Sequence, residues 1–398
     1  MDKIDVHNYK GRLRLALNKL ENSDLPGDAK KDIMDFYHYI LDKGINVGRI
    51  AKYIYHLMQI SKMLGKSFTE TEKDDIIGIV NKIGEMNYAE YTKHDFNVII
   101  KRFYKWLEGG DEDYPDKVRW ITTTVKNDKG KLPEELLSKD EVMKLIKAAD
   151  HLRDRAFISL LYESGCRIGE MLNIRIKHVN IDELGAQIIV DGKTGMRRIR
   201  VVASATYLTI WLEYHPLRDN PNAPLWPVIG TRNHNGYLNY SNANKMIKKV
   251  AEKAGIKKRV NPHIFRHSRA THMANYLTEA QMNHYFGWVQ GSDMPSTYVH
   301  LSGRDLDGAI LKIYGLKKDD EEEKREEFTP KKCQRCEKMN SPTGKICNRC
   351  GCPLDDETIS KIEDQRKRME NLMANLLKDP EVRGIIANKM REMRNGGE

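Results

Sequence analysis

Tyr298 lies near the end of a polar, breaker-rich stretch, HYFGWVQGSDMPSTYVHLSG, in which Trp288 follows Gly287. A phenol has a pKa of about 10, so it attacks a phosphorus only where cations and a base assist it. With 18 tyrosines in the chain, packing is the ordinary role of any one of them, so the case for chemistry rests on three other patches. In SGCRIGEMLNI, Arg167 follows a glycine-containing turn and begins a helix whose apolar side includes Ile168, Met171 and Leu172. A guanidinium grips two phosphate oxygens in a fixed fork, and a helix N-terminus adds positive potential. A surface arginine paired with Glu163 or Glu170 is the plain alternative. In GKTGMRR, Lys193 sits in a turn, where a flexible ammonium can protonate a leaving oxygen; Arg197 and Arg198 compete for that role, and simple solvation is the default. In PHIFRHSRATHMA, His263 and Arg266 fall at i and i+3 on one helical face, so both can meet one phosphate. His267 and His272 enrich that stretch in imidazole, which equally suits a helix packed through satisfied histidines.

A second chemistry is written in the tail. Cys333, Cys336, Cys347 and Cys350 form C-x2-C-x10-C-x2-C, two knuckles able to present four thiolates tetrahedrally to zinc. Gly351 fits the tight turn of a knuckle, and Cys352 is a spare thiol able to replace Cys350. A unit this small buries too little surface to fold alone, which makes the zinc structural.

These residues need elements to hold them. Up to about Trp120 the pattern is helical, with apolar residues at three- and four-residue spacing: Ile50, Ile54, Leu57, Met58, Met63 and Leu64, then Phe96, Ile99, Ile100, Phe103, Tyr104 and Leu107. Basic and tyrosine-rich polar faces on these helices suit a DNA backbone or plain solvent alike. The polar stretch TTTVKNDKGKLPEE is a connection. Beyond it, Ser138 and Glu141 have the spacing of a capping box, so a helix begins near Lys139. AQIIVDGKTGMRRIRVV reads as two β-rich runs joined at a turn, a hairpin with Lys193 at its tip. Helical pattern returns from Asn242 to about Leu316. KKDDEEEKREE has nothing apolar to bury and is a linker or a solvated helix. After Asp355, the residues Ile359, Ile362, Met369, Leu372, Met373 and Leu376 mark one face of a charged helix that Pro380 ends. That stripe calls for a partner, its own catalytic domain or another subunit, and we favour the subunit.

The 398 residues imply more than one folded unit. Sixty-seven Lys and Arg against 57 Asp and Glu leave a charge of +10, which points towards a polyanion. No apolar run is long enough to span a bilayer, the start lacks a secretory signal, and five of six cysteines crowd between Cys333 and Cys352, unlike a disulfide framework. We therefore expect a cytoplasmic, DNA-associated protein with no membrane partner.

Taken in order, SGCRIGEML, GKTG, HIFRHSRATHM, FGW and STYVHLSG resemble the tyrosine recombinases and phage-type integrases, with an archaeal cast in the closing stretch. Agreement in five places is far more specific than in one. The resemblance implies a mainly α fold with a small β-sheet. Joined to the tail read above from its own residues, it divides the chain into a helical core-binding domain (1–125) that clamps DNA, a linker (126–137), an α+β catalytic domain (138–316), a charged linker (317–332), a zinc ribbon (333–353) and a C-terminal amphipathic helix (354–398). It also assigns roles. Arg167, Lys193, His263, Arg266 and Tyr298 match the catalytic set, Tyr298 as nucleophile, and Glu170 matches an acidic supporting residue. Trp288 fills a position that most members give to histidine and some to tryptophan, whose indole can donate to phosphate. The implied activity is site-specific recombination of double-stranded DNA through a 3′-phosphotyrosyl intermediate, by a homo-oligomer (a tetramer on DNA), without ATP and with the arginines standing in for a catalytic metal. Two alternatives stay open: topoisomerase activity of type IB, and a catalytically silent DNA-binding or zinc-dependent regulatory protein.

Overall fold

The computed structural model describes residues 4–109, 113–124, 135–230, 236–301, 314, 329–347 and 349–385. The chain divides into two compact units, Met1–Lys131 with Asn239–Ser241, and Leu132–Leu238 with Asn242–Glu398.

The first unit is helical: α1 (Tyr9–Glu21), α2 (Gly27–Asp42), α3 (Val47–Leu64), α4 (Lys73–Glu85), α5 (Glu90–Leu107) and the short α6 (Asp116–Arg119). Its core follows from the apolar spacing. On α3, Ile50, Ile54, Leu57 and Met58 are buried, and on α5, Phe96, Ile99, Ile100, Phe103 and Tyr104. Phe103 is the hub, meeting Phe36 edge-on at 5.2 Å and Phe68 at 4.7 Å, arrangements that match ring edge to ring face.

The second unit opens with α7 (Lys139–Ala148), where Ser138 Oγ accepts from the Glu141 backbone N–H at 3.2 Å and Glu141 Oε2 accepts from the Ser138 N–H at 2.8 Å. Next comes α8 (Leu152–Ser164), whose Ala156, Phe157, Ile158, Leu160, Leu161 and Tyr162 are all fully buried. A helix apolar on every side has to lie inside its domain, and α8 accordingly packs against α7, α12 (Pro262–Met273) and α10 (Ala205–Glu213). Around them lie the short α9 (Ile168–Leu172), α11 (Tyr240–Lys253), α13 (Glu279–Phe286) and α14 (Met294–Leu301).

The sheet has three strands, one more than the two β-rich runs imply: β1 (Val179–Asp182), β2 (Gly185–Gly192) and β3 (Gly195–Val201), antiparallel in that order. β1 is short, polar and largely exposed, so it carries no alternating signature to read. β2 and β3 pair Ile188 with Ile199 and Val190 with Arg197, and their alternate residues face inward, Arg197 among them. The hairpin turn is Lys193–Thr194, as read from the sequence.

A two-stranded ribbon, β4 (Lys331–Lys332) with β5 (Met339–Asn340), precedes the C-terminal helix Asp356–Leu376. That helix stops before Pro380, and Pro380 opens the next helical stretch, residues 380–385. The helix thus ends short of Pro380, as its spacing implied, and at the first position of the next stretch the missing N–H costs nothing, with Asp379 Oδ1 capping the Glu381 N–H at 2.8 Å. The charged linker and the stretch after Leu301 fall almost wholly outside the described residues, as does much of the 126–137 connection. Among the described residues no helix is long and apolar enough to cross a membrane.

Candidate active site and metal centre

Two glycines shape the site. Gly165 ends α8 with φ +56°, and a Cβ there would come within 2.4 Å of the Phe286 ring. Gly287 ends α13 with φ +61°, and a Cβ there would stand 2.7 Å from Arg197 Nη1. With both turns free of side chains, backbone carbonyls line up to receive arginines. Arg266, on α12, donates through Nη1 to Gly165 O and through Nη2 to Phe286 O, both at 2.8 Å. Arg167 donates through Nη1 to Gly287 O at 3.1 Å and to Glu170 Oε1 at 3.0 Å. Both guanidiniums thus rest against residues 286–287.

The two arginines differ in access. Arg266 is buried, whereas the Arg167 side chain is 36% exposed, so Arg167 forms the mouth and Arg266 the floor. Burial, and after it the neighbouring charge of Arg167, pushes Arg266 down to about 10, which still leaves it cationic at neutral pH. An anion would relieve both effects.

Over this floor lies an aromatic stack. Trp288 stacks on Phe286 at 4.9 Å and on Tyr298 at 5.4 Å, the last pair only 8° from parallel, while the Arg266 guanidinium carbon sits 5.3 Å from the indole centre. The Tyr298 hydroxyl is 2.6 Å from His267 Nδ1. Burial raises the phenol above its ordinary value, and the charge of Arg266 offsets this in part.

Behind Arg167, Glu170 bridges two guanidiniums, meeting Arg197 Nη2 at 2.7 Å. Burial alone would raise its carboxyl; the Arg197 hydrogen bond and charge, with those of Arg167, hold it below the ordinary value.

Arg167, Glu170, Arg266, Trp288 and Tyr298 are therefore brought together, and the two readings of Arg167 coexist, since it pairs with Glu170 and remains accessible. Its helix α9 has only five residues, and the Arg167 backbone N–H already donates to Glu170 Oε2 at 3.1 Å, so the helix-end potential expected there is slight. Glu163 takes no part. It is buried and accepts from the backbone N–H groups of Val202, Ala203 and Ser204. Lys193 is exposed at the hairpin tip, where its neighbour Thr194 donates to the same Gly287 carbonyl at 3.3 Å. His263 is exposed on the first turn of α12, one turn before Arg266. Arg197 does not compete with Lys193, because strand alternation turns it inward onto Glu170. That role and the His267 contact escaped the sequence reading. The signals were present: Arg197 shares the parity of Ile199 and Val201, and His267 lies four residues after His263 on one helical face. His272, by contrast, is a satisfied packing histidine, its Nδ1 2.6 Å from Tyr162 Oη.

In the ribbon, the sulfur atoms of Cys333, Cys336, Cys347 and Cys350 lie within 4.8 Å of one another. Cys333 is 3.6 Å from Cys350 and Cys336 is 3.6 Å from Cys347. Separations of this size are those of thiolates around one tetrahedral ion, and far too long for disulfides. Each knuckle turns through a left-handed residue, Glu337 at φ +59° and Gly351 at φ +72°. Cys352 instead offers its backbone, accepting from the Cys347 N–H at 2.7 Å.

A model described as the phage integrase family matches residues 135–304, the segment that carries the whole arginine and tyrosine cluster. Tyrosine recombinase XerA of Pyrococcus horikoshii is 29% identical over 252 residues, spanning 62% of this chain and 80% of that protein. Over residues 135–304 the chain matches the phage integrase family. Its activity is that of a site-specific tyrosine recombinase, and neither topoisomerase activity nor a silent scaffold is favoured by these relatives. Tyrosine recombinase XerD of Ralstonia nicotianae is 28% identical over 273 residues, covering 64% of this chain and 85% of XerD. The fold recurs in a lambda integrase dimer bound to a COC′ core site, with a TM-score of 0.55 at 15% identity over 69% of this chain and 78% of that one. It recurs also in the XerH post-cleavage complex with a palindromic difH substrate, at 0.52 and 18% identity over 78% and 98%. The cysteine ribbon lies beyond the matched segment.

Proposed function

We propose that this recombinase cuts double-stranded DNA by attack of the Tyr298 oxygen on a backbone phosphorus. The P–O5′ bond breaks, a 3′-phosphotyrosyl bond forms, and Lys193 or His263 gives the departing 5′ oxygen its proton. Arg167 and Arg266 share the charge that grows on the phosphoryl oxygens, an electrostatic contribution of about 100- to 1000-fold for one well-aimed donor. The Trp288 indole N–H donates to the same group, and Glu170 holds Arg167 in place. One ester replaces another, so a hydroxyl from a second strand reverses the step without ATP.

The observation that carries this reading is the stack in which Trp288 joins Tyr298 to Arg266. It supports the nucleophile and the phosphate clamp as parts of one pocket. Titration of Tyr298→Phe against a nicked suicide duplex tests it: covalent product should vanish while the duplex is bound as tightly as by the parent protein. Undiminished capture would overturn the assignment. Tyr285, whose hydroxyl donates to Glu163 O at 2.5 Å, and the exposed Tyr314 would then be the next residues to replace.

The helical first unit acts in this reading as a DNA clamp, and exchange between two duplexes proceeds in a homo-oligomer, a tetramer on DNA. The four-thiolate cluster supports a structural zinc, which when bound would tie the two knuckles into one fold.

A further inference from the structure

His267 follows Arg266 directly and His263 by four residues, so the three side chains share one face of α12. Its ring lies 5.8 Å from that of Tyr298, and its Nδ1 meets the phenol at 2.6 Å. Tyr298 is only 3% exposed, so its proton has no ready path to bulk water. The arginines and the indole around it carry donors only and cannot accept that proton. Among the described residues, the group in hydrogen-bonding contact with the phenol is the imidazole.

We infer that His267 removes the phenolic proton as Tyr298 attacks. This rests on Tyr298 being the nucleophile. With the ring proton on Nε2, the Tyr298 O–H donates to Nδ1. As the bond from oxygen to phosphorus forms, that proton passes to Nδ1 and the ring becomes cationic. The P–O5′ bond breaks, and the 5′ oxygen takes a different proton from the Lys193 or His263 side. In rejoining, the 5′ hydroxyl attacks, the tyrosine oxygen leaves, and His267 returns the proton it held. The site thereby separates two tasks: one base serves the nucleophile, and other groups serve the leaving oxygen. Placing the base in the segment that also carries Arg266 couples phosphate grip to proton removal, since both side chains move with one helix.

The test is single-turnover covalent capture on a nicked suicide duplex by the full chain, with His267→Gln, His267→Phe and Tyr298→Phe. Glutamine keeps an acceptor for the phenol but cannot take its proton, and phenylalanine removes both functions. Both His267 variants should bind the duplex normally and cut about 100-fold more slowly. Replacing Tyr298 with a fluorinated tyrosine, whose phenol is more acidic, should recover about tenfold or more in His267→Gln and far less in the parent protein. Parent-like cutting by His267→Gln, or equal acceleration by fluorine with and without His267, would overturn the inference. Capture by Tyr298→Phe would instead remove the nucleophile assignment beneath it, so the two failures are distinguishable.

Discussion

Glu170 and Arg197 form an ion pair at 2.7 Å with side chains only 4% and 6% exposed. Arg197 fixes the carboxylate from within the sheet, and the carboxylate fixes Arg167 at the mouth of the site. Replacing Arg197 by alanine strands the carboxylate, and breaking a buried pair from one side costs about 3 kcal/mol or more. Urea unfolding of Arg197→Ala should show that loss, and cutting of a nicked duplex should slow as Arg167 loses its support. A variant of parent stability would mean that the carboxylate finds another partner.

The same pair gives stability a pH dependence. The folded-state pKa of Glu170 is depressed, so its contribution is present above the unfolded value, ordinarily 4.5, and is lost as pH falls through the lower folded value. Glu170→Gln should therefore be much less stable than the parent protein at pH 7, and the gap should narrow steadily below about pH 4.5. A gap of constant size across that window, followed by chemical denaturation at each pH, would point to lost packing instead of lost charge.

Trp288 combines stacking with an N–H, and two substitutions separate them. Trp288→Ala removes a ring packed between Phe286 and Tyr298 and should destabilise by about 3 kcal/mol. Trp288→Phe keeps an aromatic plane but no donor, so it should melt close to the parent protein yet cut about tenfold more slowly or worse. Equal rates for parent and Trp288→Phe would restrict the indole to packing.

The ribbon should be separable from strand cleavage. Replacing Cys333 and Cys336 by serine removes two of four thiolates, so metal analysis should find one zinc per chain in the parent protein and none in the variant. Cleavage of a short duplex should persist, because no cysteine of the ribbon touches the arginine cluster among the described contacts. Loss of cleavage with the catalytic fold intact would tie the ribbon to the chemistry.

The sequence was most legible where a motif sits at a helix end or a turn, because those positions are set by local rules. The Ser138 cap, the Lys193 turn and the cysteine knuckles depend on neighbours a few residues away, and the structure puts each at such a position. Arg197 was obscured because MRRIR reads as a polar strand end. Its parity with Ile199 and Val201 pointed inward, but a buried arginine needs a buried partner, and Glu170 is 27 residues away. His267 was obscured for a related reason. Its helical face was visible, but its partner Tyr298 is 31 residues away, and packing alone joins them.

The C-terminal helix gives a last prediction. Ile359, Ile362, Met369, Met373 and Leu376 recur at the spacing of a coiled-coil seam, with Arg366 in the one remaining seam position, and they are 40–59% exposed. Twenty-one residues make a helix about 32 Å long, and a helix of that size has little stability of its own without a face to bury. A second copy of the same helix supplies a matching seam. Burying the exposed half of each methionine is worth roughly 1 kcal/mol, so the four from two chains amount to about 4 kcal/mol, or about a thousandfold in Kd. Replacing Met369 and Met373 together by aspartate should therefore shift the protein towards monomer in sedimentation by a comparable factor, while cutting of a nicked half-site, which needs one active site, stays at the parent rate. An unchanged sedimentation profile would show that this face is covered by something other than its own copy.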